Sequence, residues 1–553
     1  MSGPDDDSAG GKAKRRESVP SYADPVISLP PSIVERYNAK VLDPSTATRV
    51  AGQKQLRPTV YVADQMLVTG GVRDDEARAL LEEAADDQDL EFHPSLEADR
   101  RVQLRATLER IGRTDLAELM PRVHNLVPKP GSTATADAWE VLQTYRGKVG
   151  ITEPPAKDVA LNHLLISSPF VGGVPFVGGV PFVGGVPFVG GVPFVGGVPF
   201  VGGVPYASYA TPGFGGRAPV NWIGPAPHRR RNEELSCRRP TVLILDTGVG
   251  VHKWWDGTDI VTRGLQVNGL DLGFTDPTTD PEVTGSVLNP LTGLLDSDSG
   301  HGTFIAGLIH QLCPDANIIS VRVMPSDGVV PEDVLLEVLT AVVARQHAAQ
   351  ANHDKHSLID VVSLSLGYYH EAPDDPSFDP KIFGPLTELS KMGVAVVASA
   401  GNEATYRPMY PAAFAPHQGG LNPTFDGGCT PLLSVGALNP DDTVAMFSNA
   451  GKWVTCNRPG ADLVSTFPRT FNGAQTSSMR VTVDGHVRAT IDPDDFSSGF
   501  GTWSGTSFAA PVLAGELAQA LLTNCHGSLD ETDAPTGIQR SWSAITKCTE
   551  ITP

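Results

Sequence analysis

Four short apolar runs do most to limit the architectures open to this chain: RPTVLILDTG (239–248), NIISVRVM (317–324), IDVVSLSLG (359–367) and VAVVASAG (394–401). Each is rich in β-branched residues, and three of them stop at Gly. They read as strands buried on both faces. Between the second and third lies PEDVLLEVLTAVVARQH, with apolar residues at 334, 335, 338, 339, 342 and 343, the spacing of a helix with one buried stripe. This alternation predicts an α/β fold, a three-layer doubly wound parallel sheet with helices on both faces. A last helix, from Ser507 to about Leu522, closes it.

At 553 residues the chain is too long for one such core. Residues 1–55 are rich in Pro, Ser, Asp and Arg without periodicity and read as a disordered tail. Residues 56–166 form a small α+β unit. In it TVYVADQMLVTGG alternates like one or two strands, DDEARALLEEAADD, RRVQLRATLERIG and ADAWEVLQTYRG carry helical patterns, and VALNHLLIS (159–167) is a closing strand. Residues 237–525 hold the α/β domain, and 526–553 are left as a short polar tail.

Residues 167–236 are a low-complexity linker in which PFVGGV occurs six times in tandem, from Pro169 to Val204. No Asp, Glu, Lys or Arg occurs between Asp158 and Arg217, which raises the question of a membrane span. A proline every six residues removes helix donors and Gly-Gly adds entropy, so no stable span is expected. Two turns of a hexapeptide β-helix would bury too little, which leaves a semi-extended apolar spacer or docking segment.

With 42 basic and 63 acidic residues the net charge is −21, which repels phosphate backbones and excludes nucleic acid as an expected partner. The N-terminus, MSGPDDDSAGGKAKRRES, has no apolar run behind its charges. The expectation is a cytoplasmic protein, with unconventional export as the other route. Six cysteines without a CxxC pair suit free thiols better than a disulfide scaffold or a zinc finger.

Ligands of doubly wound sheets gather beyond the carboxyl ends of the strands. Asp246 ends the first apolar run, Asn402 follows the fourth, His301 opens a helix in GHGTFIAG, and Ser507 in GTSFAAP opens the last helix. Hydrolysis by serine needs a hydroxyl nucleophile, an imidazole base, a carboxylate that fixes the imidazole tautomer, and donors for an oxyanion. All four types stand at such positions.

With its Asp, His, Ser order the chain resembles the subtilisin-like serine proteases, the subtilases, over residues 241 to 523. The resemblance implies catalytic roles for Asp246 (Asp-Thr-Gly), His301 (His-Gly-Thr) and Ser507 (Gly-Thr-Ser-x-Ala-Ala-Pro). It implies that Asn402 in Ser-Ala-Gly-Asn serves the oxyanion hole, and that substrate lies as an added strand on Ser365, Leu366 and Gly367. The implied function is a serine endopeptidase acting on protein or peptide substrates through an acyl-enzyme on Ser507. The N-terminal unit would then be an intramolecular inhibitor, although it matches the family's prosegment only in a loose strand and helix pattern. A maturation cut is expected between Tyr206 and Arg231.

Rival readings are a non-enzymatic interaction protein on a protease-like fold, and a peptide cyclase using the same acyl-enzyme. An aspartic-protease reading would take Asp298-Ser299-Gly300 as a second Asp-x-Gly copy, but that copy follows a polar loop instead of a strand. No cofactor is required. The family often binds calcium in loops, so the resemblance adds a structural calcium as an option, with the acidic segments DPTTDPE, DSDSG and IDPDDF as sources and no ligands assigned. His353 and His356 in NHDKH read as solvent-facing residues at a helix end.

Overall fold

The computed structural model describes residues 30–553 with Pro25 and Ile27, apart from 70–74, 96–98, 111, 168–208, 210–214, 376, 377, 379, 422–426, 525–527 and 550. The hexapeptide repeat therefore lies outside the described residues, as does most of the chain between Tyr206 and Gly215.

The N-terminal unit is an antiparallel sheet under two main helices. Its elements are β1 (Val60–Val68), α1 (Asp75–Asp86), β2 (Leu90–Pro94), β3 (Arg122–Pro128), α2 (Ala138–Val149) and β4 (Val159–Ser167), with strand order β4-β1-β3-β2. Leu81, Ala84 and Ala85 of α1 and Trp139, Leu142 and Tyr145 of α2 bury their stripes against Tyr61, Met66 and Leu161 of the sheet. Asp137 accepts from the Trp139 N–H at 3.1 Å and caps α2.

The C-terminal domain contains β5 (Ala218–Val220), β6 (Thr241–Asp246), β7 (Val261–Arg263), α3 (His301–Leu312), β8 (Asn317–Arg322), β9 (Val329–Pro331), α4 (Glu332–Ala351), β10 (Val361–Leu364) and β11 (Leu366–Gly367). It continues with β12 (Ala395–Ser399), β13 (Leu432–Leu438), β14 (Cys456–Pro459), β15 (Phe500–Trp503), α5 (Thr506–Thr523) and α6 (Ala534–Thr549). A parallel sheet runs in the order β14-β13-β12-β10-β6-β8-β7. All of β6 is buried, because its two faces serve two cores. Leu243 and Leu245 pack with Leu335, Leu339 and Val342 of α4, whereas Val242 and Ile244 pack with Ile305 of α3 and Leu513 and Leu517 of α5. From β6 the chain adds β8 on one side and then returns to place β10 on the other, so the strand order reverses at the carboxyl ends of β6 and β10.

Three boundaries differ from the sequence expectation. Within the tail expected over 1–55, Pro31–Tyr37 is a helix and Ala39–Val41 pairs with Val60–Val62 of β1, with Ile33 and Leu42 buried. Pro31 in its first turn and Asn38 at φ 45° after its last residue bound this helix, local signals that need no long periodicity. The far end of the expected linker is built into the C-terminal domain, where β5 pairs antiparallel with β15. The expected polar tail holds α6, whose Ile538, Trp542 and Ile545 recur at helical spacing within a polar composition, with Trp542 and Ile545 buried.

The N-terminal sheet takes in two short strands of the C-terminal domain and stays separate from the parallel sheet. β4 of the N-terminal unit pairs antiparallel with β9 on one edge (Val329↔Ile166, Val330↔Leu165, Pro331↔Leu164) and with β11 at its end (Leu366↔Ser167, Gly367↔Ile166). Among the described residues no helix is long and apolar enough to cross a membrane.

Candidate active site

Asp246 and His301 reach each other because strand and helix backbones nearly touch. A Cβ on Gly302 would overlap the Gly248 carbonyl oxygen, so only glycine lets the start of α3 sit on the turn that ends β6. His301 Nδ1 then lies 2.7 Å from Asp246 Oδ1, with both side chains fully buried. The same Oδ1 accepts from the Thr247 N–H at 2.8 Å. Burial disfavours the imidazolium, but the Asp246 charge and hydrogen bond outweigh it and raise the His301 pKa above the ordinary value. His301 Nε2 has no hydrogen-bond partner among the described residues.

Ser507 stands in the first turn of α5 and is buried. Its Oγ donates to the Ser365 carbonyl at 3.2 Å, and Ser365 Oγ donates to the Ser507 carbonyl at 2.8 Å, which fastens the helix start to the β10–β11 junction. The Phe508 ring lies 5.2 Å from the His301 ring and covers it. Asn402 follows β12, and its Oδ1 accepts from both the N–H and the hydroxyl of Thr506, each at 2.9 Å. That leaves Nδ2 as the donor end of the amide. Leu366 and Gly367 form β11 and are covered by β4.

Several residues that build this site gave no sequence signal. Glu282 is buried in the loop before α3 and accepts from Thr247 Oγ1 at 2.6 Å, Thr303 Oγ1 at 2.5 Å and the Gly300 N–H at 3.1 Å, tying the end of β6 to the start of α3. Burial pushes its carboxyl up to about 8. Glu403 accepts from the Asn402 N–H at 2.9 Å and from Tyr369 OH at 2.6 Å. Arg217, ahead of β5, donates to the carbonyls of Asp296 at 2.9 Å, Ser299 at 3.1 Å and Ser297 at 3.3 Å, and its guanidinium lies 5.2 Å from the centre of the Trp503 ring. One side chain thus holds the loop leading to His301 and the strand leading to Ser507.

Among the described residues one group has the spacing of three metal ligands: His163 of β4 with His370 and Glu371. Its atoms are already engaged. His163 Nδ1 lies 2.8 Å from Glu332 Oε2, His163 Nε2 lies 2.8 Å from Glu371 Oε2, and His370 Nδ1 accepts from the Ala372 N–H at 3.0 Å. In the acidic segments, Asp276 and Asp280 cap short turns and Asp296 accepts two backbone N–H groups. Asp492 and Asp494 each keep a buried Oδ1 without a hydrogen-bond partner. His353 reaches Thr532 Oγ1 at 3.1 Å. The five described cysteines are free. A cavity of about 450 Å³, lined by Cys237, Arg239, Thr241 and Asn317, lies at the opposite ends of β6 and β8.

The model of the subtilase family matches residues 238–534, more than half of the chain. Serine protease AprX of Bacillus subtilis (strain 168) is 26% identical over 328 residues, covering 55% of this chain and 61% of that protein. The thermophilic serine proteinase of Bacillus sp. (strain AK1) is 26% identical over 225 residues, covering 41% of this chain and 45% of that one. The chain thus spans about half the length of these relatives. The solved structure of fervidolysin from Fervidobacterium pennivorans aligns with a TM-score of 0.42 at 17% identity, covering 93% of this chain and 60% of that one. With a matching model over its parallel-sheet domain, the chain belongs to the subtilase family.

Proposed function

We propose that the protein is a serine endopeptidase acting on protein or peptide substrates, held in check by its own N-terminal unit as an intramolecular inhibitor. The observation that carries the reading is β4. It lies as an extended strand between β9 and β11 and ends at Ser167 opposite Leu366, one step before Ser365, whose carbonyl accepts from Ser507 Oγ. A peptide strand in that register brings its next carbonyl to the nucleophile.

In the proposed reaction Ser507 Oγ attacks that carbonyl carbon as His301 Nε2 takes the hydroxyl proton. Asp246 holds the proton on Nδ1 and stabilises the imidazolium. The oxyanion accepts from Asn402 Nδ2 and the Ser507 N–H. Collapse breaks the C–N bond, with the proton passing from His301 to the leaving amine, and water then cleaves the acyl-enzyme by the same proton relay. A structural calcium, the remaining part of the proposal, would find its ligands in the unpartnered Oδ1 atoms of Asp492 and Asp494.

The test compares wild type with Ser507→Ala and Asn402→Ala on an unfolded protein substrate and a covalent serine-hydrolase probe. Ser507→Ala should neither label nor hydrolyse. Asn402→Ala should label but turn over about 10² to 10³ times more slowly, a magnitude established on another member of this family. Hydrolysis by Ser507→Ala at the wild-type rate would overturn the reading, and a cyclised product mass would divert it to acyl transfer.

A further inference from the structure

Resting on the peptidase reading, we infer that Asp298 makes the cleft select a small hydroxyl side chain, that of serine, at the second residue before the scissile bond. The position follows from register. Ser167 faces Leu366, so the next residue of a strand so placed faces Ser365 beside Ser507, and Ser167 occupies the place two before the bond that breaks. Its N–H donates to the Gly328 carbonyl at 2.8 Å, which fixes the direction in which its side chain leaves the strand.

At that place Ser167 Oγ donates to Asp298 Oδ1. Asp298 is 3% exposed and sits in the loop whose carbonyl accepts the His301 N–H at 3.0 Å, so the carboxylate is a wall of the cleft next to the base. A substrate with an apolar side chain there would leave a buried carboxylate without the donor that Ser167 now provides, and burial already pushes the Asp298 carboxyl above the ordinary range.

Size is set across the slot. A Cβ built on Gly328, at φ 69°, would overlap both Ser167 Oγ and the Asp298 carboxylate, so backbone closes the slot opposite the acid. A serine hydroxyl spans that gap directly. Lysine would have to fold a four-carbon stem into it, and alanine or valine brings no donor. Arg217 keeps the wall in place by its hydrogen bonds to the carbonyls of Asp296, Ser297 and Ser299 on both sides of Asp298. A hydrogen bond to an ionised carboxylate, once desolvated, sets the size of the expected preference at roughly 10-fold to 100-fold.

The experiment uses the full chain after it has processed itself, with peptides that differ only in Ser, Ala, Val or Lys at the second residue before a common scissile bond. The inference expects kcat/KM for Ser to exceed Ala, Val and Lys by roughly 10-fold or more in wild type, and the Ser-to-Ala ratio to fall to about 1 in Asp298→Ala. Equal rates for Ser and Ala in wild type, a preference for Lys, or a ratio that survives Asp298→Ala would overturn it. If wild type cleaves none of the peptides and does not label with the probe, the peptidase reading itself has failed. The contact is then still tested in Ser507→Ala full chain. There the protection of the β4 backbone against hydrogen exchange should fall with Ser167→Ala and with Asp298→Ala, but no further with both. Independent losses that add would overturn the contact.

Discussion

His301 and His163 are both enclosed and both face carboxylates, yet their surroundings give them opposite properties. His301 has one acidic partner, Asp246 on Nδ1, and keeps Nε2 without a partner among the described residues. His163 has two, Glu332 and Glu371, one on each ring nitrogen. Burial would lower the His163 pKa, but the Glu371 charge and the hydrogen bonds to Glu332 and Glu371 outweigh it and raise it to about 9. Its neighbour His370 is driven down to about 3 by burial and stays neutral. One carboxylate leaves an imidazole a place to receive a proton; two make it a fixed cation. His163 sits on β4, while Glu332 begins α4 and Glu371 follows β11, so that cation fastens the N-terminal unit to the parallel-sheet domain.

The sharpest way to break this contrast is to delete each ring. If His301 is the proposed base, His301→Ala should lower kcat by a factor of about 10⁶, the scale measured for the triad histidine of one member of this family, and steady-state hydrolysis checks it. His163→Leu should leave the chemistry intact. It strands two buried carboxylates face to face, which should cost the docked N-terminal unit about 3–5 kcal/mol, read by urea unfolding in the Ser507→Ala background. Equal losses of kcat in the two variants would erase the distinction.

A pH series sharpens it. The folded-state pKa of His163 lies above its unfolded value, so its stabilisation is complete below about pH 6.5 and disappears as pH rises through about 9. Glu332, Glu371, His370 and the Tyr368 ring are the groups packed on it, and Arg146 of α2 acts on Glu371 and His370. Protease sensitivity of the N-terminal unit in Ser507→Ala should therefore increase from pH 7 to pH 10. As the proposed general base His301 would act only unprotonated, and its pKa is raised, so peptide turnover should climb through and above neutrality. Turnover that falls steadily from pH 5 to pH 8 on folded enzyme would contradict this.

The smallest effect is expected at Arg217. Arg217→Gln loses charge-assisted hydrogen bonds to the four carbonyls of Leu295, Asp296, Ser297 and Ser299 and its place over Trp503, and should lower stability by about 1–3 kcal/mol with a modest fall in kcat. A cut before Arg217 would leave Arg217 and β5 with the parallel-sheet domain, whereas the register of β4 brings the bond after the residue that follows Ser167 to the nucleophile, upstream of the cut expected between Tyr206 and Arg231. Mapping the new N-terminus in wild type, with Ser507→Ala as the uncut control, checks this.

What the sequence made legible has a physical pattern. β6, β8, β10 and β12 are buried on both faces, so their apolar runs betray them, and Asp246 and Asn402 stand out as polar residues at the ends of such runs. β4 was legible as a strand over 159–167, but not its partners, since pairing with β9 and β11 joins residues more than 160 positions apart. Glu282, Glu403, Asp298 and Arg217 were hidden for the same reason. Each is polar in a polar loop, and only the distant groups it bonds give it meaning. α6 was missed because three apolar residues in a polar stretch are a weak signal until α5 is there to receive them.

The strand that fills the cleft also closes two sheet edges. With β4 in place, the inner edges of β9 and β11 have their backbone groups paired. When β4 leaves, both open at once, facing each other across a gap one strand wide, and any extended segment satisfies them together. The emptied protein is thus the form most inclined to capture chain from its surroundings, whether a substrate or a neighbouring copy's unfolded segment. Selection at the Ser167 position then decides which captured strands reach the nucleophile in register and which only rest on the edge.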